Sequence, residues 1–324
     1  MKSKSLSCAR VLAVLASVTF FFTPSVFAQT YPTKPVRVIV PFAPGGGTDV
    51  LARRVSQKLT ELLGRQFVVD NRGGAGGLIG IDLAIKSEPD GYTILITSGS
   101  FPASAALFKP ASDPVNNIAA IGEICITPYL LVAHPSLPST TREVLELARS
   151  KPGQLLYATP GVGTISHLVT EHMLRTAKVS MRHVPYRGAA LILNDLFSGQ
   201  VQVYIGGLSS LILHVKAGKV RALAVSTAKR WPAVADVPTI AETLPGYVVE
   251  SWFGAMAPKG TPPAVIKRLN SAINESLKDP ELQKNLEITG MAASGGSPEQ
   301  FAKRIRGDYE RWVEVVQEAR IKVN

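Results

Sequence analysis

The sequence has 324 residues, 46% of them hydrophobic, with 35 lysines and arginines against 24 aspartates and glutamates, a formal charge of +11. That length and apolar content suffice for two domains of ordinary size and exclude a disordered chain or a disulfide-stapled mini-protein. The 23 prolines and 27 glycines follow no three-residue period, so they punctuate turns rather than mark a collagenous or low-complexity chain.

Residues 1–28 read as a secretory signal peptide. Lys2, Lys4 and Arg10 give a positive start, an apolar run covers 11–22, Pro24 breaks it, and Val26-Phe27-Ala28 is a small-residue cleavage site before Gln29. The run is well short of the ~20 residues that span a bilayer, and Cys8 stands on the wrong side of it for a lipid-attachment cysteine. The expectation is an exported chain cleaved after Ala28. Cys125 is then the sole cysteine, so no internal disulfide can form, and its neighbours Ile124 and Ile126 mark a buried, inert thiol on a strand.

Residues 36–40 form a β-branched run ended by Pro41, and 50–63 carry apolar residues at helical spacing. The strand signal returns at 67–69 and 92–96, around a helical stretch at 78–85. This βαβαβ order predicts a parallel sheet covered on both faces. A second series starts near Tyr129. It has a strand at 130–132, a helix to Arg149 opened by the capping box of Thr140 and Glu143, and a strand at 155–158. Helices at 164–175 and 189–197 then alternate with strands at 182–184, 201–205 and 222–225. A strand at 251–257 precedes helices at 262–277 and 298–320, the last with Phe301, Ile305, Trp312 and Val316 as a core-facing stripe. Two α/β lobes are expected, one from 29–128 plus 251–324 and the other from 129–250.

Pro41-Phe42-Ala43-Pro44-Gly45-Gly46-Gly47-Thr48-Asp49 joins the first strand to the first helix. Glycines there let the backbone turn sharply and present successive N–H groups at a positive helix terminus, which suits a carboxylate or a phosphate. The stretch lacks the Gly-Lys-Ser/Thr ending of a P-loop and the last glycine of the dinucleotide fingerprint. A tight turn without a ligand is the plainer alternative. A second Gly-rich connection, 71–80, reads equally as a ligand loop or a packed one. In the second series, Thr159-Pro160-Gly161-Val162-Gly163-Thr164-Ile165-Ser166-His167 also follows a strand and opens a helix, where Thr164 or Ser166 can cap and spare N–H groups can meet an anion. His167, in the first turn, is disfavoured as imidazolium and is expected to be neutral, as a ligand contact or as a structural group.

Enzyme motifs fail. The spacing of His167, Glu171 and His172 matches no zinc motif, no Gly-x-Ser-x-Gly elbow occurs, and no metal or cofactor site is expected. Basic residues are dispersed without aromatic interleaving, which argues against nucleic acid.

The stretch from Tyr31 to Asp49, then Asp70-Asn-Arg-Gly-Gly-Ala-Gly-Gly77, Pro89-Asp-Gly-Tyr-Thr93, Lys151-Pro-Gly153, Gly163-Thr164 with His167-Leu168, His183-Val-Pro-Tyr-Arg-Gly188, Ser198-Gly-Gln-Val201 and Asp236-Val-Pro-Thr239 carry a resemblance. They are similar to the Bug family of periplasmic solute receptors, the receptor component of tripartite tricarboxylate transporters. The resemblance implies an α/β two-lobed periplasmic binding protein, a Venus flytrap of type II-like form, each lobe a mainly parallel sheet flanked by helices. It implies a monomeric, non-enzymatic periplasmic receptor that takes a small organic acid between its lobes and passes it to membrane permease subunits. The site maps onto Ala43, Gly46, Gly47, Thr48 and Asp49 in the first lobe and Gly163, Thr164 and His167 in the second. Tyr186 and Arg187 line or support the cleft. Gln202 and Gly206 stand where acidic residues are common in the family, and Thr159-Pro160-Gly161-Val162 stands where Ser-x-Gly-Asn is more usual. Glutamine cannot pair with an ammonium as a carboxylate can, so Gln202 as a cleft residue favours an acid without an amino group. Two other functions compete: a co-receptor that presents ligand to a membrane sensor kinase, and an exported hydrolase or lyase using Asp49, His167 or Arg187.

Overall fold

The computed structural model describes residues 31–110, 113–186 and 188–322. The segment 1–28 expected to be a signal peptide and Arg187 lie outside the described residues. Strand β1 (Val36–Val40) sits between β2 (Phe67–Asn71) and β3 (Thr93–Ser98) and is parallel to both. Alternation along β1 divides its side chains between two cores. Val36, Val38 and Val40 pack with Val55 and Leu59 of α1 (Gly47–Leu63). Ile39 packs on the other face with Ile81 of α2 (Leu78–Ile85) and Phe101 of α3 (Ser100–Phe108). Helix α1 stops at Gly64, whose left-handed φ of 68° lets its N–H donate to the Thr60 carbonyl.

Strand β4 (Ile118–Ala133) changes partners partway. Up to Pro128 it runs antiparallel to β9 (Glu250–Pro258), and from Tyr129 to Ala133 it pairs antiparallel with β7 (Val203–Gly207) and β8 (Arg221–Val225). Beyond β7 come β5 (Leu156–Thr159) and β6 (Arg182–Pro185), parallel to one another, with β5 parallel to β7. The sheet is therefore mixed. Two parallel trios, β2-β1-β3 and β7-β5-β6, are joined by the antiparallel β9 and β4. The second trio is interleaved and flanked by α4 (Thr141–Ser150), α5 (Ile165–Ala177), α6 (Ala189–Phe197) and α7 (Leu208–Lys216). After β9 come α8 (Pro263–Ser276), α9 (Pro280–Ile288), the short β10 (Ala292–Ala293) and α10 (Pro298–Glu318).

The stripe on α10 is core, as its spacing predicts, with Phe301, Ile305, Trp312 and Val316 all buried. It serves two cores rather than one: Phe301 and Ile305 join the cluster around Leu95 and Trp252, while Trp312 and Val316 join that around Leu131 and Tyr157. Cys125 is buried on β4, and burial pushes its thiol up.

The registers fix which strand ends meet. Ser98, the end of β3, lies opposite Phe253, which lies opposite Cys125, so β1, β3 and the first part of β4 all advance toward Pro128. Gly207, the end of β7, lies opposite Tyr129, and β5 runs the same way as β7. The C-terminal ends of both parallel trios thus face the point where β4 changes partners. Open α/β sheets bind ligands outside such carboxyl ends.

Candidate functional site

Six described helices come next after a parallel strand: α1, α3, α5, α6 and α7 directly, and α2 by way of a 3-10 turn at Ala75–Gly77 that takes up the Leu78 N–H. None has a side-chain hydrogen bond at its N-cap. Their N-caps are Gly46, Gly77, Gly99, Thr164, Gly188 and Gly207. A helix leaves its first N–H groups without an intrahelical partner, and together with the macrodipole these make a place for an anion.

In the first loop, Ala43 to Gly47 are exposed while Thr48 and Asp49 are buried. The first intrahelical bond of α1 runs from the Val50 N–H to the Gly46 carbonyl. Gly47, Thr48 and Asp49 therefore hold open N–H groups, and the Thr48 hydroxyl has no hydrogen-bond partner among the described residues. Asp49 is engaged instead. Its carboxylate accepts from the Gly45 N–H at 2.8 Å, the Asn71 amide at 3.0 Å and Arg53 at 3.1 Å. Burial works against the charged form, but the Gly45, Arg53 and Asn71 donors prevail and hold this carboxyl below its usual range. Asp49 thus pins Gly45, whose φ of 84° makes the turn, and ties the loop to β2.

The second loop is tied internally as well. The Gly163 N–H donates to Nδ1 of His167 at 3.0 Å, the Thr164 hydroxyl donates to the Gly161 carbonyl at 2.8 Å, and the Thr164 N–H donates to the same carbonyl at 3.3 Å. The open N–H groups of α5 are those of Ile165, Ser166 and His167, since the first intrahelical bond is Leu168 to Thr164. His167 stacks on His183 with centroids 4.0 Å apart, and His183 stacks on Tyr157 at 4.9 Å. Burial, followed by the His183 ring, pushes the His167 pKa down to about 4, so the ring is the neutral acceptor that Gly163 needs. The expectation of neutrality holds, with burial as its main cause. Asp49 and His167, which a hydrolytic reading would use, both spend polar atoms on their own loops.

Tyr186 follows β6 and lies beside the second loop, its carbonyl 3.5 Å from where a Gly161 side chain would begin. Its hydroxyl donates to Asp195 at 2.6 Å. Gln202 is a correction. Its amide oxygen accepts from the Leu156 N–H at 2.9 Å and its amide nitrogen donates to the Gly199 carbonyl at 2.8 Å. Leu156 is the first residue of β5 and the second loop follows its last, so Gln202 lies at the opposite end of the strand from the loops. The ligand bias expected from Gln202 therefore loses its basis. Gly206 does lie near the junction, but a side chain there would begin 2.7 Å from the Tyr204 ring.

The sequence reading misses the starts of α3 and α7. At α3 the Ser98 and Ser100 hydroxyls are 2.8 Å apart at the end of β3. At α7, Leu208, Leu211, Ile212 and Val215 recur at helical spacing directly after Gly206-Gly207, a signal of the same form as the two loops that were found. Among the described residues no group of three or more His, Cys, Asp or Glu is placed to hold a metal ion, and no helix is long and apolar enough to cross a membrane.

Residues 51–321 match the sequence model of the tripartite tricarboxylate transporter family receptor. Protein BugT of Bordetella pertussis is 35% identical over 321 residues, which cover 97% of this chain and 98% of that protein. An R. palustris protein solved with adipate superposes with a TM-score of 0.74 at 35% identity, covering 90% of this chain and 99% of that one. MatC from Rhodopseudomonas palustris with bound malate superposes with a TM-score of 0.72 at 31% identity, covering 88% and 100%.

Proposed function

Since the chain belongs to the Bug family of tripartite tricarboxylate transporter receptors, whose members are periplasmic solute-binding proteins, we propose that it binds a small carboxylate at the β4 junction and delivers it to a membrane permease of that transporter type. The observation that carries this reading is the convergence of uncapped helix starts from both parallel trios on one junction. Binding of adipate and malate by relatives of the same fold supports the ligand class. The signal peptide directs export and is removed by cleavage after Ala28. The lobes are 29–128 with 251–324 and 129–250, they hinge where β4 and β9 pass between them, and α10 packs on both.

One carboxylate lies on the N–H groups of Gly47, Thr48 and Asp49 with the Thr48 hydroxyl. The second lobe closes on the ligand with the open N–H groups of α5. Asp49, His167 and Tyr186 hold the loops in place. Binding needs no bond-making step, and Asp49 and His167, which a hydrolase would use, are already engaged by their own loops.

Calorimetry of the mature chain with a panel of mono- and dicarboxylates tests this, alongside Gly46→Asp. Gly46 has the extended φ of −76° that any residue adopts, and a side chain there would begin 3.7 Å from the Ala43 carbonyl, so aspartate fits. Its carboxylate would cap α1 from within and compete with the ligand. We expect at least one acid to bind the native chain and Gly46→Asp to weaken it at least about tenfold, ~1.4 kcal/mol. Heat from a neutral sugar and from no acid would overturn the proposal.

A further inference from the structure

A cavity of about 200 Å³ opens beside the first loop. Gly45 and Gly47 form one side of its mouth, at the uncapped start of α1, and Ser209, the second residue of α7, forms another. Its wall between them is mainly aliphatic, with Val50 and Leu51 from α1, Leu286 from α9 and Met291 beyond it, and carries Asn285 and Thr289 as its polar members. Val50, which lines the cavity, is 41% exposed.

We propose that this cavity receives the body of the transported acid, and that the ligand class is a carboxylic acid carrying an apolar body of about six carbons. The proposal rests on the receptor reading above, which supplies the head-group contact at α1. An apolar cavity of roughly 150 Å³ holds a benzene ring, so the space here matches a six-membered ring or a chain of similar carbon number. A protein segment would need a far larger groove. Because Gly47 belongs both to the open helix start and to the cavity mouth, a carboxylate on the α1 N–H groups has its substituent directed along Val50 and Leu286. Most hydroxyl groups on that body would meet aliphatic wall, with only Ser209, Asn285 and Thr289 as polar neighbours, so polyhydroxy acids are disfavoured. At the rim Arg54 has no ion-pair partner among the described residues and adds to the positive field that draws the acid in.

The test is calorimetry of the mature chain with acetate, butyrate, hexanoate, benzoate and gluconate, repeated on Val50→Trp and on Ser209→Phe, which fill the cavity from opposite sides. Affinity should rise by up to about fourfold per methylene from acetate to hexanoate, the worth of a buried methylene. Benzoate should sit near hexanoate and gluconate at least tenfold below it. Each variant should flatten the series, costing hexanoate at least tenfold relative to acetate, with thermal melts confirming that the chain is folded. If acids bind without regard to their apolar length, or if both folded variants keep the native slope, the cavity is not a subsite and the receptor reading survives. If no acid of any length binds the native chain, the receptor reading itself falls.

Discussion

Helices that start on the junction and helices that start elsewhere are capped by different chemistry. Away from the junction, α4 begins with the capping box of Thr140 and Glu143, α10 with that of Ser297 and Gln300, and α9 with Asp279 accepting from the Leu282 N–H. Only α8 lacks a side-chain cap in that set, and a proline at its first turn spares one N–H. On the junction the caps are glycines, or a threonine whose hydroxyl is turned to its own loop. Glycine is only a few tenths of a kcal/mol poorer than the best capping residues, whereas alanine loses about 1 kcal/mol. Glycine therefore keeps the helix while leaving its N–H groups for an external partner. The same fold builds self-sufficient helix starts where stability is the only demand and open ones where an anion can complete them.

The largest effect that sharpens this contrast is pH dependence, because one junction loop is held by a histidine and the capped starts are not. The folded-state pKa of His167 is depressed to about 4, below the unfolded value near 6.5. Between those values the unfolded chain binds the proton and the folded chain does not, so stability rises with pH there. That contribution is complete above about pH 6.5 and is lost as pH falls toward 4, amounting to roughly 3 kcal/mol for a shift of this size. Burial also lowers His172, to about 4, and His183, in the same sense. Urea unfolding at pH 7, 5.5 and 4 should show the loss. His167→Gln should reduce the slope without abolishing it, and an unchanged slope would remove His167 from this role. Asp49, with its pKa held low, loses its stabilising charge only below about pH 4.

A smaller effect breaks the contrast from the other side. Thr140→Ala removes a side chain that accepts from the Glu143 N–H at 3.2 Å and should cost about 1 kcal/mol of stability. Ligand affinity should stay unchanged, since α4 follows an antiparallel strand. A loss of affinity as large as that expected of Gly46→Asp would mean that remote and junction starts are not functionally distinct.

How far this was legible depended on whether a residue's partner is local. The loops at 41–49 and 159–167 stand out in the sequence because a strand, glycines and a helical period follow one another directly, and the cap at Thr140 is a four-residue signal. Helix α3 was hidden because Phe101, Ala103, Ala105 and Ala106 are all buried, so it lies between two cores and shows no amphipathic stripe. Strand β4 was legible over only a few residues because register shifts near Ala120 and Glu123 break its alternation. Gln202 looked like a site residue from its place in a family motif. Its hydrogen bonds to Leu156 and Gly199 belong to the far end of β5, which no sequence spacing reveals. Asp49 and His167 stand in the loops that the spacing marks, but that each spends polar atoms on holding its loop is visible only in the geometry.

The most direct measurement follows the backbone amides while a carboxylate is titrated into the isotopically labelled mature chain, by NMR. The account predicts downfield amide-proton shifts at Gly47, Thr48 and Asp49 and at Ile165, Ser166 and His167, with the amides of Thr141 to Glu143 and of Glu299 and Gln300 silent. Saturating carboxylate that leaves the amides of both loops unmoved, or shifts the capped starts as strongly, would contradict it.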